Sequence, residues 1–86
     1  MPDQPKFHIS GDQLAAARRL IRITQEDLAQ ASGITDRTIA AFESGKTTPH
    51  ESTVATLRKT LEARGIVFTN GENPGVIFVR RAIAPR

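Results

Sequence analysis

Arg37 follows Asp36 at the start of a short periodic apolar run, and Lys46 closes the same stretch just after Gly45. A guanidinium can donate to two acceptors lying side by side, as on the O6/N7 edge of guanine, and a carboxylate can accept from cytosine N4. Lys46, with Ser44 and Thr47 beside it, can offer charge and hydroxyls to a phosphate backbone. These groups suit holding a partner rather than transforming one. His8 and His50 stand apart, and neither has a carboxylate or second histidine at ligand spacing. No Gly-rich phosphate loop or nucleophile motif occurs. The chain has no cysteine, which excludes disulfides, thiolate catalysis and cysteine-ligated zinc. Neither an enzyme nor a metal or cofactor is expected.

The elements that must position Arg37 and Lys46 can be read from caps and glycines. Thr24 can cap a helix starting at Gln25, with Asp27 as the reciprocal partner of a capping box. Leu28 and Ala31 form its apolar stripe. Gly33 suits a left-handed turn. Thr35 can cap a second helix, in which Ile39 and Phe42 share one face at i, i+3 spacing. That leaves Asp36, Arg37, Ala40 and Ala41 pointing outward. Gly45 ends the helix in the C′ role. Upstream, Ser10-Gly11-Asp12-Gln13 is a capping box opening a helix that runs to about Arg22. Downstream, Thr48-Pro49-His50-Glu51 orders a cap, an N1 proline and an N3 acid, with Ser52 a rival cap; Gly65 is the C′ candidate of that last helix. Two short helices joined by a tight turn are also what an ordinary helical hairpin would show.

The spacing becomes specific over the string Gln25-x-x-Leu28-Ala29-x-x-x-Gly33-Ile34-x-x-x-x-Ile39-x-x-Phe42-Glu43-Ser44-Gly45-Lys46. It resembles the Cro/cI-type (Xre) helix-turn-helix family of phage repressors and bacterial regulators. An upstream helix with Leu14, Arg18 and Ile21 and a downstream one with Val54, Leu57 and Leu61 extend the resemblance from Gly11 to Gly65. It implies a mainly α fold: a four-helix, lambda-repressor-like core, here followed by a C-terminal β-hairpin.

The resemblance also implies roles. The second helix of the pair would enter the major groove, with Thr35, Asp36, Arg37, Ala40 and Ala41 at base edges. Thr24, Gln25, Thr38, Ser44, Lys46 and Thr47 would hold phosphates. Gln25 matches the family's phosphate-binding glutamine, and the free N–H groups and positive dipole end of its helix suit the same anion. Arg18 and Glu43 match positions that form a largely buried ion pair. Ala40 and Ala41 depart from many relatives, which carry longer polar side chains there. Alanines can touch only thymine methyls or permit close approach, which shifts discrimination towards DNA shape.

With 86 residues and a net charge of +3, the chain is one small domain with a marginal core and a balance that suits an anionic partner. RNA binding by stacking is disfavoured, since the chain has no tyrosine or tryptophan and its four phenylalanines have core or strand roles. No apolar run approaches a membrane span and no signal peptide is evident, so the expected location is cytoplasmic. The chain divides into a loose arm (1–9), the helix-turn-helix domain (10–65), a hairpin (66–81) and a tail (82–86).

The hairpin is read from two β-branched and aromatic runs, Ile66-Val67-Phe68-Thr69 and Val76-Ile77-Phe78-Val79. A two-residue Asn70-Gly71 turn would put Pro74 inside a strand, so a longer loop through Gly75 is expected. Pairing Thr69 with Val76 sets Ile66, Phe68, Ile77 and Val79 against the helices. It turns Val67, Thr69, Val76, Phe78 and Arg80 outward. Val67, Val76, Phe78 and Arg80 are then the expected dimer interface; the other reading is that the hairpin only completes the monomer core. The expected protein is a homodimeric repressor of transcription on double-stranded DNA, with no small-molecule effector evident. The alternative is an antitoxin-type module that neutralises a partner protein and autoregulates its operon. It is disfavoured because only the hairpin and Arg80–Arg86 could wrap a toxin.

Overall fold

Ser10 Oγ accepts from Gln13 N at 3.0 Å while Gln13 Oε1 accepts from Ser10 N at 2.9 Å, and this reciprocal cap opens α1 (Gly11–Leu20). The computed structural model describes residues 8–80. The same logic repeats along the chain. Thr24 and Asp27 exchange two bonds of 2.9 Å to open α2 (Gln25–Ser32). Thr35 Oγ1 accepts from Thr38 N to open α3 (Asp36–Glu43). A fourth helix, α4 (Glu51–Glu62), precedes an antiparallel hairpin of β1 (Ile66–Thr69) and β2 (Gly75–Phe78).

Each helix contributes its apolar stripe to one core. Leu14 and Ala17 of α1, Leu28 of α2, Ile39 and Phe42 of α3, and Val54, Leu57 and Leu61 of α4 are buried, and Ile66 and Phe68 close the hairpin side. Gly11 is required by a close approach: a Cβ there would overlap the Phe42 carbonyl, so α1 and α3 meet backbone to side chain-free backbone.

Local details differ from the sequence expectation. α1 stops at Leu20 rather than Arg22, because Arg22 turns into the left-handed region at φ +60. The cap of α4 is His50, not Thr48 or Ser52; its ring nitrogen receives only a long 3.5 Å approach from Ser52 N. The helix ends at Glu62, with Gly65 (φ +99) past the cap and inside the turn into β1. In α2 the core neighbour of Leu28 is Ala29, while Ala31 is exposed. Ile9, placed in the loose arm, is buried in the core. Met1–Phe7, and the tail from Arg81 to Arg86, lie outside the described residues.

The largest correction is the register of the hairpin. Thr69 pairs with Gly75, not Val76, so Phe68 faces Val76 and Ile66 faces Phe78. A one-residue slip exchanges the two faces of a strand. Val76 and Phe78 therefore pack against the core, while Val67, Ile77 and Val79 are 45%, 51% and 37% exposed. Three features set this register. The loop is one residue shorter than expected and ends at Pro74. Thr69 Oγ1 donates to Asn73 O at 2.9 Å across it. The Gln13 carboxamide donates to both Thr69 O (2.8 Å) and Gly75 O (3.1 Å), pinning the paired residues to the start of α1.

Candidate nucleic-acid interface

The turn between α2 and α3 sets the angle of the candidate recognition helix. Gly33 caps α2 with φ +80, its N–H bonded to Ala29 O, and Thr35 starts α3 two residues later. At the other end Gly45 N donates to Phe42 O and Lys46 N to Ala41 O, the paired bonds of a Schellman motif. The backbone of Lys46 is thereby fixed one residue past the left-handed Gly45 (φ +83).

An open concavity of about 740 Å³ lies between the start of α2 and the outer face of α3. Gln25 lines one side; Asp36, Arg37, Ala40 and Ala41 line the floor, and Ser44 and Lys46 the end. Asp36 and Arg37 are exposed and the two alanines half-buried. Arg37 and Lys46 form no ion pair among the described residues. Thr24, Thr35, Thr38 and Thr47 do not line the concavity. Thr24 is taken up by its capping box. Thr35 caps α3 and donates to Thr38 Oγ1 at 3.0 Å, so these two hydroxyls bind each other. Thr47 is exposed just beyond Lys46. Ser44 Oγ donates to Ala41 O at 3.1 Å.

Behind this face, Arg18 of α1 meets Glu43 of α3. Arg18 Nε and Nη2 donate to the two carboxylate oxygens, each at 2.9 Å, and the side chains are 11% and 7% exposed. Arg18 Nη1 donates to Ile23 O at 2.9 Å, which fixes the link into α2. Gln25 Nε2 donates to Glu43 Oε1 at 3.0 Å. Burial alone would raise the Glu43 carboxyl; the bonds from Arg18 and Gln25, with the charges of Arg18 and Arg19, outweigh it and hold the group below its ordinary 4.5. The bond to Glu43 likewise raises the Arg18 guanidinium against the opposing effect of burial. Asp27 is held below 3.8 by the Thr24 backbone N–H, then by the Thr24 hydroxyl.

Two residues gain roles that the sequence did not announce. Gln13 reads as a cap partner, yet it also holds the hairpin. Gln25 reads as a phosphate ligand, yet it also completes the partners of Glu43. The second role of each depends on contacts with residues far along the chain, for which a local spacing rule has no signal.

Short helices at this turn angle, with an outward α3 and a basic end, define a helix-turn-helix domain. The chain belongs to the Cro/cI-type helix-turn-helix family: the family model, described as helix-turn-helix, matches residues 14–64. That span runs from the second turn of α1 past the end of α4, and the hairpin lies outside it. No curated protein matches the chain significantly. Membership makes it a DNA-binding regulator in the general sense, in a family of DNA-binding proteins rather than enzymes. Among the described residues no cluster of side chains could hold a metal ion, and no helix is long and apolar enough to cross a membrane.

Proposed function

We infer that the chain is a homodimeric transcriptional repressor that inserts α3 into the major groove of a two-fold operator. The observation that carries this reading is the shared concavity, lined by Arg37 and Lys46, which form no ion pair among the described residues, and by Gln25 at the N-terminus of α2. Arg37 reads guanine through its two donors, and Asp36 accepts from cytosine. In this reading Thr35, Ala40 and Ala41 make methyl and hydroxyl contacts at base edges. Phosphates on either side are held by Gln25 with the α2 N–H groups and by Lys46. Thr24, Thr38, Ser44 and Thr47 add contacts to the same backbone. The bond between the Thr35 and Thr38 hydroxyls also fixes the position of the start of α3.

The second half-site comes from a second copy. One module of this size buries little surface on DNA, and tight binding needs two on one duplex. The register of the hairpin supports Val67, Ile77 and Val79 as the apolar face between copies, in place of Val76 and Phe78. Arg80, whose guanidinium lies 5.6 Å from the Phe78 ring centre, stands with Phe78 on the opposite side of the hairpin and is not part of that face. Such a regulator acts beside the chromosome, in the cytoplasm.

Selection of duplexes from a random pool tests this function. The expected product is a two-fold site with half-site centres about 34–36 Å apart. Recovery of no enriched duplex would contradict sequence-specific binding, and enrichment of a single half-site would contradict the dimer.

A further inference from the structure

The link between α1 and α2 is strained at one point. Arg22 has φ +60, and it is the only non-glycine in the left-handed region among the described residues. A side chain there is held at a cost that glycine would avoid, and strain of this kind gathers at ligand sites.

Beside Arg22 lies a pocket of about 510 Å³, a size that accepts a small organic ligand. The end of α1 and its link, the turn after α4, and the end of β2 all contribute to it. Leu20, Ile21, Ile23 and Phe78 give it apolar walls, and Leu20 is 45% exposed there. Among the described residues, Arg22, Arg64 and Arg80 also line it and no acidic residue does. None of the three guanidiniums forms an ion pair among the described residues. Arg80 stacks on Phe78, and the field of Arg64 reaches Asp27, which lies outside this lining. Among the described residues, the pocket shares none with the concavity on α3.

We propose that this pocket is a binding site for a small amphipathic carboxylate, with an aliphatic or aromatic body against Leu20, Ile23 and Phe78 and its anionic head among Arg22, Arg64 and Arg80. A neutral apolar molecule would leave the three exposed guanidiniums at the rim without a partner, and a bare anion would leave the apolar walls wet. Residues 81–86, which follow Arg80, bring two further arginines and no acidic side chain. The site is independent of whether the chain represses transcription.

Titration of the isotope-labelled full chain with octanoate, followed by amide chemical shifts, tests the proposal. Octan-1-ol and acetate at matched ionic strength isolate the two halves of the ligand. The expected result is saturable one-site shifts at Leu20, Arg22, Arg64 and Phe78, with both controls at least about tenfold weaker. Arg22→Gly relieves the positive φ, so its melting temperature should hold or rise while octanoate affinity falls about tenfold. Arg64→Gln, which leaves the link untouched, should weaken octanoate similarly; Arg37→Ala should not. Shifts that fail to saturate, octan-1-ol binding as tightly as octanoate, shifts centred on α3, or unchanged affinity in both arginine variants would each overturn it.

Discussion

The Gln25 carboxamide donates to Glu43 at 3.0 Å, on the same oxygen that accepts Arg18 Nη2 at 2.9 Å. Three helices therefore meet at one carboxylate: α1 through Arg18, α2 through Gln25 and α3 through Glu43 itself. The angle between the start of α2 and the outer face of α3 is fixed from behind by this contact. Gln25 retains a second N–H, which is free to face the concavity that it lines.

Removing either charge should be costly. Both side chains are nearly buried, and a buried charge left without its partner typically costs about 3–5 kcal/mol. Arg18→Ala and Glu43→Ala should each lower the melting temperature sharply. The double variant Arg18→Met with Glu43→Leu should regain part of the loss, since it removes both charges and restores volume. Unchanged melting in the single variants would show that the pair does not carry the α1–α3 junction.

Stability should also depend on acid through the same group. The folded Glu43 carboxyl is held below its unfolded value, so the folded state favours the ionised form. Its contribution is complete above the ordinary value of 4.5 and is lost as pH falls through the lower folded value. Urea midpoints should therefore decline as pH drops from about 5, and the decline should be shallower in the Arg18→Met, Glu43→Leu variant. An equal decline in both proteins would assign the acid sensitivity to other carboxylates.

Gln13 should govern the hairpin more than the helix it caps. Its nitrogen satisfies two strand carbonyls, and an unsatisfied buried carbonyl costs about 1–3 kcal/mol. Gln13→Leu should speed amide exchange at Val76 and Phe78 before it affects α3. Uniform acceleration across the whole domain would show that Gln13 acts only through global stability.

The helices were legible because their signals are local. Ser10 with Gln13, Thr24 with Asp27, and Gly45 before Lys46 lie within three residues of their partners, and each forms the cap that its spacing predicts. The position of Arg18 against Glu43 came from the family resemblance, since nothing local joins residues 25 apart. The register of the hairpin was not legible. Both pairings bury four apolar side chains, and the choice between them depends on a loop length and on Gln13, 56 residues from Thr69. The cap of α4 was missed for a different reason: histidine carries little capping preference, and Thr48 and Ser52 both offered better chemistry on either side.

The corrected register separates two kinds of hairpin variant. Charged residues at Val67 or Ile77, which face outward, should leave a folded chain that has lost self-association. Charged residues at Val76 or Phe78, which pack on the core, should unfold the hairpin instead. Light scattering with circular dichroism distinguishes these outcomes. A dimer that survives Ile77→Glu together with Val67→Lys would move the interface elsewhere.

Recognition by α3 is tested most directly by measuring the affinity of Arg37→Ala and Lys46→Ala for the selected duplex and for a scrambled one across a range of salt. Arg37→Ala should lose about 1–3 kcal/mol on the selected duplex, little on the scrambled one, and keep its salt slope. Lys46→Ala should weaken both duplexes by similar factors and flatten the slope by about one unit. Equal losses on both duplexes for Arg37→Ala, with the salt slope of Lys46→Ala unchanged, would contradict the account.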